Sequence, residues 1–376
     1  MDRHELDKMF DGLVPDPRRE RELLRQLLQD NARRNNPMKN WKRAITGVAA
    51  AALLVTAATA AVVPGLSRKL LDYLGIASED TQAVELLIPG AMTVDITKED
   101  NGATLHVTQV LRDRTSVMVL ADFTAPEGTS LRLGSTNPRV TYASKGFSGD
   151  PEAFIFLDQN GERINGESYA GDWKILEDDD PLDNHLSALF VTSQGELFME
   201  KAVSLRIPAT TLGYYDLDED GNFKFVEVYS GDWSVDVPLP KRDIGYAQQP
   251  GQIIGELNGV NVTLDEIYVS PMTLQLTVTR ETAVDWDSWL SNDMASRQWS
   301  CLLSDCSKIT LNTKDGAVVA LQDKGGYTMG DPNMKMVTLR LAEITDPARF
   351  QGGGVTFDAD GSTCTIPLDN LMPVEP

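Results

Sequence analysis

The sequence predicts a mainly β protein with a short α-helical arm, one transmembrane helix and two extracytoplasmic antiparallel β-sandwich (Ig-like) domains. Three observations support this fold class: an uncharged stretch at residues 44–63, strand-like hydrophobic patterns after residue 91, and an internal repeat. We therefore expect a cytoplasmic arm at 1–43, a span at 44–63, a connector at 64–90, β domains at 91–240 and 251–376, and a linker at 241–250.

Charge is unevenly distributed along the 376 residues, whose formal net charge is −22. Residues 1–43 carry 11 Lys and Arg against 8 Asp and Glu, whereas the rest of the chain carries 23 against 48. Such an acidic outer part disfavours nucleic acid and anionic surfaces as partners. The cysteines Cys301, Cys306 and Cys364 are too few for a disulfide framework, and the first two would either bridge locally or stay free thiols.

The N-terminal arm contains two short amphipathic patterns. The second pattern begins at Asp16-Pro17, where the aspartate can cap a helix and the proline fits its first position. Its apolar stripe consists of Leu23, Leu24, Leu27 and Leu28. Two helices this short cannot bury both stripes against each other, so we expect a cytoplasmic partner to cover these leucines. The alternatives are a helix on the membrane surface or a single frayed helix beside the membrane.

Residues 44–63 are 20 consecutive positions without a charge, and a helix of that length spans roughly 30 Å, the thickness of the bilayer hydrocarbon. A buried core helix is one alternative, but the stretch has no polar face and ends at Pro64-Gly65. A cleaved signal peptide is another, but 43 residues precede the stretch. Trp41, Lys42 and Arg43 would anchor the span in membrane lipid, and the basic flank places the N-terminus in the cytoplasm.

The residues after the span change from helical to strand patterns. Residues 67–74 predict a short helix closed by Gly75, and residues 76–90 have the composition of a connector. From residue 91 apolar side chains such as Leu105 and Val107 alternate with polar ones, and turn dipeptides recur at short intervals. Short alternating strands separated by such turns are typical of antiparallel β-sandwiches.

An internal repeat supports two such domains. Asn101-Gly102 and the strands after it match Asn258-Gly259 and its strands at a constant offset of 157 residues. A second match pairs residues 203–207 with residues 337–341, and similar strands at 233–239 and 364–368 end the two domains. Because hairpins share a common pattern, the match could also be convergent.

One acidic segment has the letters of a calcium-binding loop. Its candidate ligands are Asp216, Asp218 and Asp220 at loop positions 1, 3 and 5, and Glu227 at position 12, with a glycine at position 6. Ca2+ is the one cofactor that the sequence suggests. The flanks are typical of strands rather than helices, and Asp220-Gly221 is a strong hairpin turn. We therefore favour an acidic hairpin, with a weak calcium site as the alternative.

Catalytic signatures are missing from the sequence. It has no G-x-S-x-G elbow, no P-loop and no dinucleotide-binding glycine run, and His106 and His185 have no metal-ligating neighbour by spacing. We therefore expect no enzyme activity. Trp286, Trp289 and Trp299 cluster in an irregular segment, where they would either stack on a sugar ring or pack over the end of a sandwich.

The order of polar arm, alanine-rich span and β domains, with a Gly-Asp-Trp-Ser-Val-Asp-Val-Pro strand at 231–238, resembles a known family. It is similar to the anti-sigma-like single-pass membrane proteins of Gram-positive bacteria that carry an uncharacterised extracytoplasmic domain. The resemblance covers roughly residues 38–240 and implies an extracytoplasmic-function sigma factor that the protein restrains. The arm departs from zinc-containing anti-sigma arms, because it has no Cys and only His4.

These observations lead to one functional expectation and one alternative. The expectation is a membrane-anchored signalling protein, an anti-sigma factor whose arm binds a sigma factor and whose outer β domains sense the state of the envelope through an unknown ligand or protein. Because a single helix transmits small shifts poorly, we expect release by proteolysis near residues 64–90 or a change of oligomeric state. The alternative is a surface-anchored protein that binds glycan or peptide and has no regulatory arm.

Overall fold

The computed structural model describes a part of the chain that lies after the predicted span. The described residues are 66–77, 79–134, 145–148, 155–164, 170–176, 180, 183–193, 201–218, 222–257, 260–280, 309–328, 334–359 and 362–374. Val62–Pro376 is one compact unit. Outside the described residues lie the predicted span at 44–63, the arm leucines Leu23, Leu24, Leu27 and Leu28, the anchors Trp41, Lys42 and Arg43, Cys301 and Cys306, and the tryptophans of the segment 281–301. Within the described ranges no helix has both the length and the apolar character needed to cross a bilayer.

Two short helices and a 3-10 turn precede the first strand. They are helix α1 at Arg68–Leu74, helix α2 at Thr81–Leu87 and the 3-10 turn at Ile88–Gly90. The Ser67 side chain caps α1 by accepting from the Leu70 N–H at 3.2 Å, and Gly75 ends the helix at φ 73°. The predicted helix is thus confirmed. The predicted connector contains α2, because the Asp80 side chain accepts from the Ala83 N–H and starts a second helix.

The first group of strands, which we call the first module, forms three antiparallel sheets. Its strands are β1 Ala91–Asp100, β2 Ala103–Arg112, β3 Ser116–Thr124, β4 Lys145–Ser148, β5 Ile155–Leu157, β6 Ala170–Ile175, β7 His185–Ser193, β8 Ser204–Ile207, β9 Thr211–Leu217, β10 Phe223–Ser230 and β11 Val235–Pro238. The five-stranded sheet has the order β1-β2-β3-β7-β6. The two smaller sheets have the orders β10-β9-β4 and β11-β8-β5.

The second group of strands, the second module, forms two antiparallel sheets. Its strands are β12 Tyr246–Gln248, β13 Gln252–Leu257, β14 Val260–Val269, β15 Thr273–Arg280, β16 Ile309–Asn312, β17 Val318–Val319, β18 Leu321–Thr328, β19 Met334–Leu341, β20 Gly354–Ala359, β21 Ser362–Pro367 and β22 Met372–Pro373. The larger sheet has the order β18-β19-β15-β14-β12-β22, with β13 also paired to β14. The smaller has the order β17-β16-β20-β21, and a 3-10 turn at Pro347–Phe350 precedes β20. The predicted mainly β, antiparallel character is confirmed.

The larger sheets of the two modules repeat one strand order. The order β1-β2-β3-β7-β6 in the first corresponds to β13-β14-β15-β19-β18 in the second. The pairing register shifts between Val107 and Gln109 in β2, and between Leu264 and Glu266 in β14. These positions are again 157 residues apart, so the strand pairing supports the repeat found at Asn101-Gly102.

One of the sequence matches is wrong. The sequence pairs residues 203–207 with residues 337–341, but β8 pairs with β5 and β11, whereas β19 pairs with β15 and β18. The topological counterpart of β8 is β20, which pairs with β16 and β21. Both strands alternate apolar and polar residues, and this local pattern does not distinguish a strand of the larger sheet from a strand of the smaller one.

Each module has a hydrophobic cluster between its sheets. In the first module Phe123 lies at the centre, with ring centroids 4.8 Å from Trp233 and 5.3 Å from Phe147 in edge-to-face contacts. The predicted inward residues Leu105 and Val107 are fully buried in this cluster. The second module buries Phe350 and Phe357 among aliphatic residues of both sheets.

Candidate functional site

A third hydrophobic cluster covers the outer face of the five-stranded sheet. It is formed by residues 66–90, which we call the strap, and by the sheet residues Leu111, Met118, Leu120 and Leu189. Leu71 and Leu87 of the strap are fully buried. Burial of one leucine side chain stabilises a protein by roughly 2 kcal/mol relative to leaving it exposed. The buried strap leucines together therefore stabilise the attachment of the strap to the sheet. The described residues of the strap are therefore packed rather than loose.

Polar contacts fix the position of the strap on the sheet. The Ser67 N–H donates to the Gln109 side-chain oxygen at 2.8 Å. Lys69 Nζ lies 2.8 Å from Asp122 Oδ1 and also donates to Ser187 Oγ, which donates to Asp122 Oδ1 at 2.6 Å. Burial by itself raises the pKa of Asp122, but the Lys69 ammonium and the Ser187 hydroxyl outweigh it and hold that pKa below its ordinary value.

The contact between Ser187 and Lys69 raises the question of nucleophilic catalysis, because serine–lysine pairs act in some hydrolases. A serine nucleophile needs a base that accepts its proton and an open side for the substrate. Here Ser187 is 3% exposed and donates its proton to Asp122, while Lys69 donates to both side chains. This geometry fits the attachment of the strap to the sheet.

The strap also contacts the second module. Met272, in the turn between β14 and β15, and Ile344 pack in the same cluster as the strap leucines. The Tyr73 ring of α1 lies 5.9 Å from the Arg340 guanidinium of β19, which is a cation–π distance. One continuous segment therefore packs on both modules.

The modules meet directly through two turns, residues 113–116 and 270–273, which we call the clamp. Asp113 is 1% exposed and its carboxylate accepts six hydrogen bonds. Its Oδ1 accepts from the N–H and hydroxyl groups of Thr115 and Ser116 at 2.7 to 3.0 Å. Its Oδ2 accepts across the modules from Ser270 Oγ at 2.6 Å and Thr273 Oγ1 at 2.9 Å. A buried carboxylate is tolerated when its lone pairs are used in this way.

The two turns of the clamp are equivalent positions of the repeat. Asp113 and Ser270 are 157 residues apart, and the N–H of each donates to the carbonyl of the third residue onward, at 3.1 and 2.8 Å. Ser270 Oγ also accepts from the N–H groups of Met272 and Thr273 at 3.1 and 3.0 Å. The clamp therefore holds the backbone of Met272, whose side chain contributes to the strap cluster.

A layer of buried charges extends from the clamp. Arg114 Nη1 lies 2.6 Å from Glu266 Oε1, and 8% and 12% of these side chains are exposed. The Arg114 N–H donates to Tyr268 Oη at 3.1 Å, and Tyr268 Oη donates to Asp243 Oδ1 at 2.7 Å. Burial raises the pKa of Asp243 above its ordinary value, against the lowering effect of the hydrogen bonds from Tyr268 and the Gly245 N–H. These contacts add a polar connection between the modules.

The predicted calcium loop belongs to the β9–β10 hairpin. Asp216 pairs with Lys224, whereas Glu227 pairs with Gly213, three residues further along β10. Three strand residues cover roughly 10 Å, so Glu227 lies away from the turn. Asp220 lies outside the described residues, which hold no group of three His, Cys, Asp or Glu placed to bind a metal ion. The predicted hairpin is confirmed, and the calcium site stays a prediction.

The calcium-like letters also have a structural explanation. Asp218 Oδ1 accepts from the Asn222 N–H at 2.8 Å and so closes a five-residue turn. Asp158 closes the turn to Glu162 in the same way, at 2.9 Å. In both turns the first N–H donates to the fifth carbonyl at 2.9 Å. An aspartate three residues before a glycine is thus a hairpin signal in this chain.

A chelation experiment tests the calcium prediction. If Asp216, Asp218 and Asp220 bind Ca2+, excess chelator lowers the melting temperature and added Ca2+ restores it. Asp218→Asn keeps an oxygen for the Asn222 N–H but removes a negative ligand, so it should weaken the Ca2+ effect and leave the turn intact. A melting temperature that Ca2+ and chelator leave unchanged in the unmodified chain excludes the site.

Sequence reasoning missed the strap contact and the clamp. Residues 116–121 are apolar at nearly every position, a pattern typical of a strand buried on both faces. This pattern indicated that something covers the outer face of β3. The sequence Asp113-x-Thr115-Ser116 is typical of a side-chain-closed turn, and its distance from Ser270 continues the repeat.

No family model matches the chain, and no curated protein matches it. Among solved structures, the conserved domain protein from Bacillus anthracis aligns over 76% of this chain and 92% of that chain, with 11% identity and a TM-score of 0.40. The N-terminal periplasmic domain of ScsB from Proteus mirabilis aligns over 76% of this chain and 98% of that chain, with 10% identity and a TM-score of 0.18.

Proposed function

We propose that the protein is a single-pass membrane signalling protein, an anti-sigma factor whose cytoplasmic arm restrains a sigma factor. Residues 44–63 span the membrane, and two β-sandwich (Ig-like) domains at 91–240 and 251–376 sense the envelope on the outside. The sigma factor contacts the leucine stripe at 23–28 of the arm.

The strap is the observation that carries this proposal. Leu66 lies three positions after the predicted span and is 1% exposed. Lys69 and Leu71 then hold the chain to the five-stranded sheet by an ion pair and by burial. A protein that is only anchored to a surface can function with a flexible linker between its domains and its span. A sensor instead needs a connecting segment that transmits movements of its domains to the span, which a flexible linker does poorly. The packed strap therefore supports signalling over simple anchoring.

The packing of the sheets supports the sandwich architecture. In the first module one hydrophobic cluster joins β2, β3 and β7 of the larger sheet with β5, β8 and β11 of a smaller one. In the second module one cluster joins β14, β15 and β19 with β16, β20 and β21. Two antiparallel sheets that share one apolar core are the defining feature of a β-sandwich.

Membrane fractionation tests the topology. We expect the full chain in the membrane fraction and a variant without residues 44–63 in the soluble fraction. A reporter fused after Gly75 should be active only outside the cytoplasm. Full-length protein that remains soluble, or a reporter active only in the cytoplasm, contradicts the proposal.

Substitution of the arm leucines tests the sigma-factor partner. With the arm as bait we expect to recover a sigma factor, and Leu24→Ser with Leu27→Ser should abolish recovery because both belong to the apolar stripe. Gln26→Ser with Gln29→Ser is the matched control on the same predicted helix. Deletion of residues 1–35 should raise transcription of the sigma-dependent genes.

The same experiment separates the two functional candidates. If a membrane-inserted bait recovers no sigma factor, and deletion of the arm changes no transcript, the anti-sigma function is wrong. The surface-anchored binding protein would then be the better explanation of the two β modules.

A further inference from the structure

We propose that the strap couples the two modules, so that a movement of the second module relative to the first releases the strap from the five-stranded sheet. The proposal rests on the proposed function only where release is taken as a signal. The coupling itself is a property of the described β modules and is tested independently of the arm.

The strap has contacts with both modules. On the first module its leucines pack on Met118 and Leu120, and Lys69 pairs with Asp122. On the second module Met272 and Ile344 complete the same cluster, and Arg340 lies over the Tyr73 ring. Separation of the modules would remove the second set of contacts and open one side of the cluster to water. The free energy of strap packing therefore depends on where the second module lies.

The clamp determines the position of Met272. Ser270 is fully buried, and its Oγ donates to Asp113 Oδ2 at 2.6 Å while accepting from the Met272 N–H at 3.1 Å. Met272 is 2% exposed, so the packing of its side chain in the strap cluster depends on the position of this turn. A chain of hydrogen bonds thus runs from Asp113 of the first module through Ser270 to Met272, whose side chain belongs to the strap cluster.

The clamp is suited to two discrete arrangements. Its connection between the modules consists of the hydrogen bonds from Ser270 and Thr273 to one carboxylate and of the Thr115 Oγ1 to Thr273 Oγ1 hydrogen bond at 3.0 Å. Hydrogen bonds weaken steeply with distance and angle, so a displacement of one turn from the other by a few ångströms would break these hydrogen bonds together. A network that is either formed or broken converts a small movement into an all-or-none release of the strap.

Hydrogen exchange of the full chain in detergent micelles tests the coupling. We expect Ser270→Ala and Met272→Ala, both in the second module, to increase exchange in strap residues 66–77 at least ten-fold. Peptides from β8 should change less than two-fold, because its buried residues Leu205 and Ile207 belong to the first core and not to the strap cluster. Met372→Ala is the matched control for Met272, since Met372 is in the second module but 61% exposed.

Thermodynamic coupling must act in both directions. Tyr73→Ala in the strap should therefore increase exchange several-fold in the β14–β15 turn, which α1 influences through the shared cluster. Asp72→Ala is the control, because the neighbouring Asp72 side chain is 54% exposed. An effect of Tyr73→Ala that is confined to the strap contradicts the coupling.

Two further results would overturn the proposal. One is a Ser270→Ala chain in which exchange increases only in the second module; the other is an equal increase throughout the chain. If that variant fails to fold, Arg340→Ala replaces it, with Arg349→Ala as an exposed arginine control in the same module. Arg340→Ala should then increase strap exchange several-fold, and an unchanged strap contradicts the proposal.

Discussion

Asp113 shows how much one buried side chain contributes to the contact between the modules. Its carboxylate accepts from two residues of its own turn and from two hydroxyls of the second module. Without the carboxylate these donors would stay buried away from water and would have lost this hydrogen-bond acceptor. Each buried donor that loses its acceptor costs about 1 to 3 kcal/mol.

We expect Asp113→Ala to lower the free energy of unfolding by about 3 kcal/mol or more, because it breaks a buried network. Urea denaturation of the full chain measures this change. Asp95→Ala is the control, because that side chain is 91% exposed and pairs with His106 at the surface. The control should change stability by less than about 0.5 kcal/mol. Equal effects of the two variants would exclude a role of the clamp in stability.

The ion pair of Asp122 with Lys69 predicts how stability depends on pH. The pKa of Asp122 in the folded protein lies below its ordinary value of 3.8. A carboxyl group with a lowered folded pKa stabilises the protein above its ordinary pKa, and this contribution disappears as the pH falls through the lowered value. We therefore expect the melting temperature to fall on acidification below about pH 4, with part of that fall absent in Asp122→Asn.

Melting curves between about pH 2 and 6 measure this dependence. Asp95→Asn serves as the control, because its exposed carboxylate should contribute little. If Asp122→Asn and the unmodified chain show the same dependence on pH, the ion pair does not hold the strap.

Among the structural elements, helix α1 depends on the glycine that follows its last residue. Gly75 has φ 73°, its N–H donates to the Asp72 carbonyl at 3.0 Å, and the following Ile76 N–H donates to the Leu71 carbonyl at 2.9 Å. This C-terminal motif turns the chain so that Ile76, 6% exposed, enters the strap cluster. The end of the helix and the packing of the strap are therefore linked.

Gly75→Ala should destabilise the strap by about 1 kcal/mol, because a left-handed conformation is unfavourable for alanine. A Cβ at this position meets no atom within 4 Å, so the cost is conformational and not steric. Gly75→Asn should cost less, since asparagine tolerates this conformation. Hydrogen exchange of residues 66–77 measures both variants, and equal costs for Ala and Asn would contradict the conformational explanation.

The sequence predicted those elements whose signals are local. Ser67 and Gly75 cap the two ends of α1, and the alternation of apolar and polar residues identified the inward faces of β2 and β3. The false match of residues 203–207 shows the limit, because the partner of β8 depends on long-range pairing. The hydroxyls that satisfy Asp113 lie 157 and 160 residues away, and no local pattern identifies such a partner.

For the whole molecule, the clamp and the strap connect two modules that have separate hydrophobic clusters. Because of these connections, the unfolding of one module lowers the stability of the other. We therefore expect calorimetry of the full chain in micelles to show one transition for the two modules. Asp113→Ala should divide it into two, and two transitions in the unmodified chain would contradict the connection.

The divergence of the two repeat copies at Asp113 and Ser270 determines which surfaces can associate. Two first modules facing each other would bring two carboxylates together away from water, and like-charge repulsion and desolvation oppose that pairing. Two second modules would meet serine to serine, without an anion to accept from both hydroxyls. Only the heterotypic pair is complementary, so neighbouring chains gain no stability by pairing like modules through this turn.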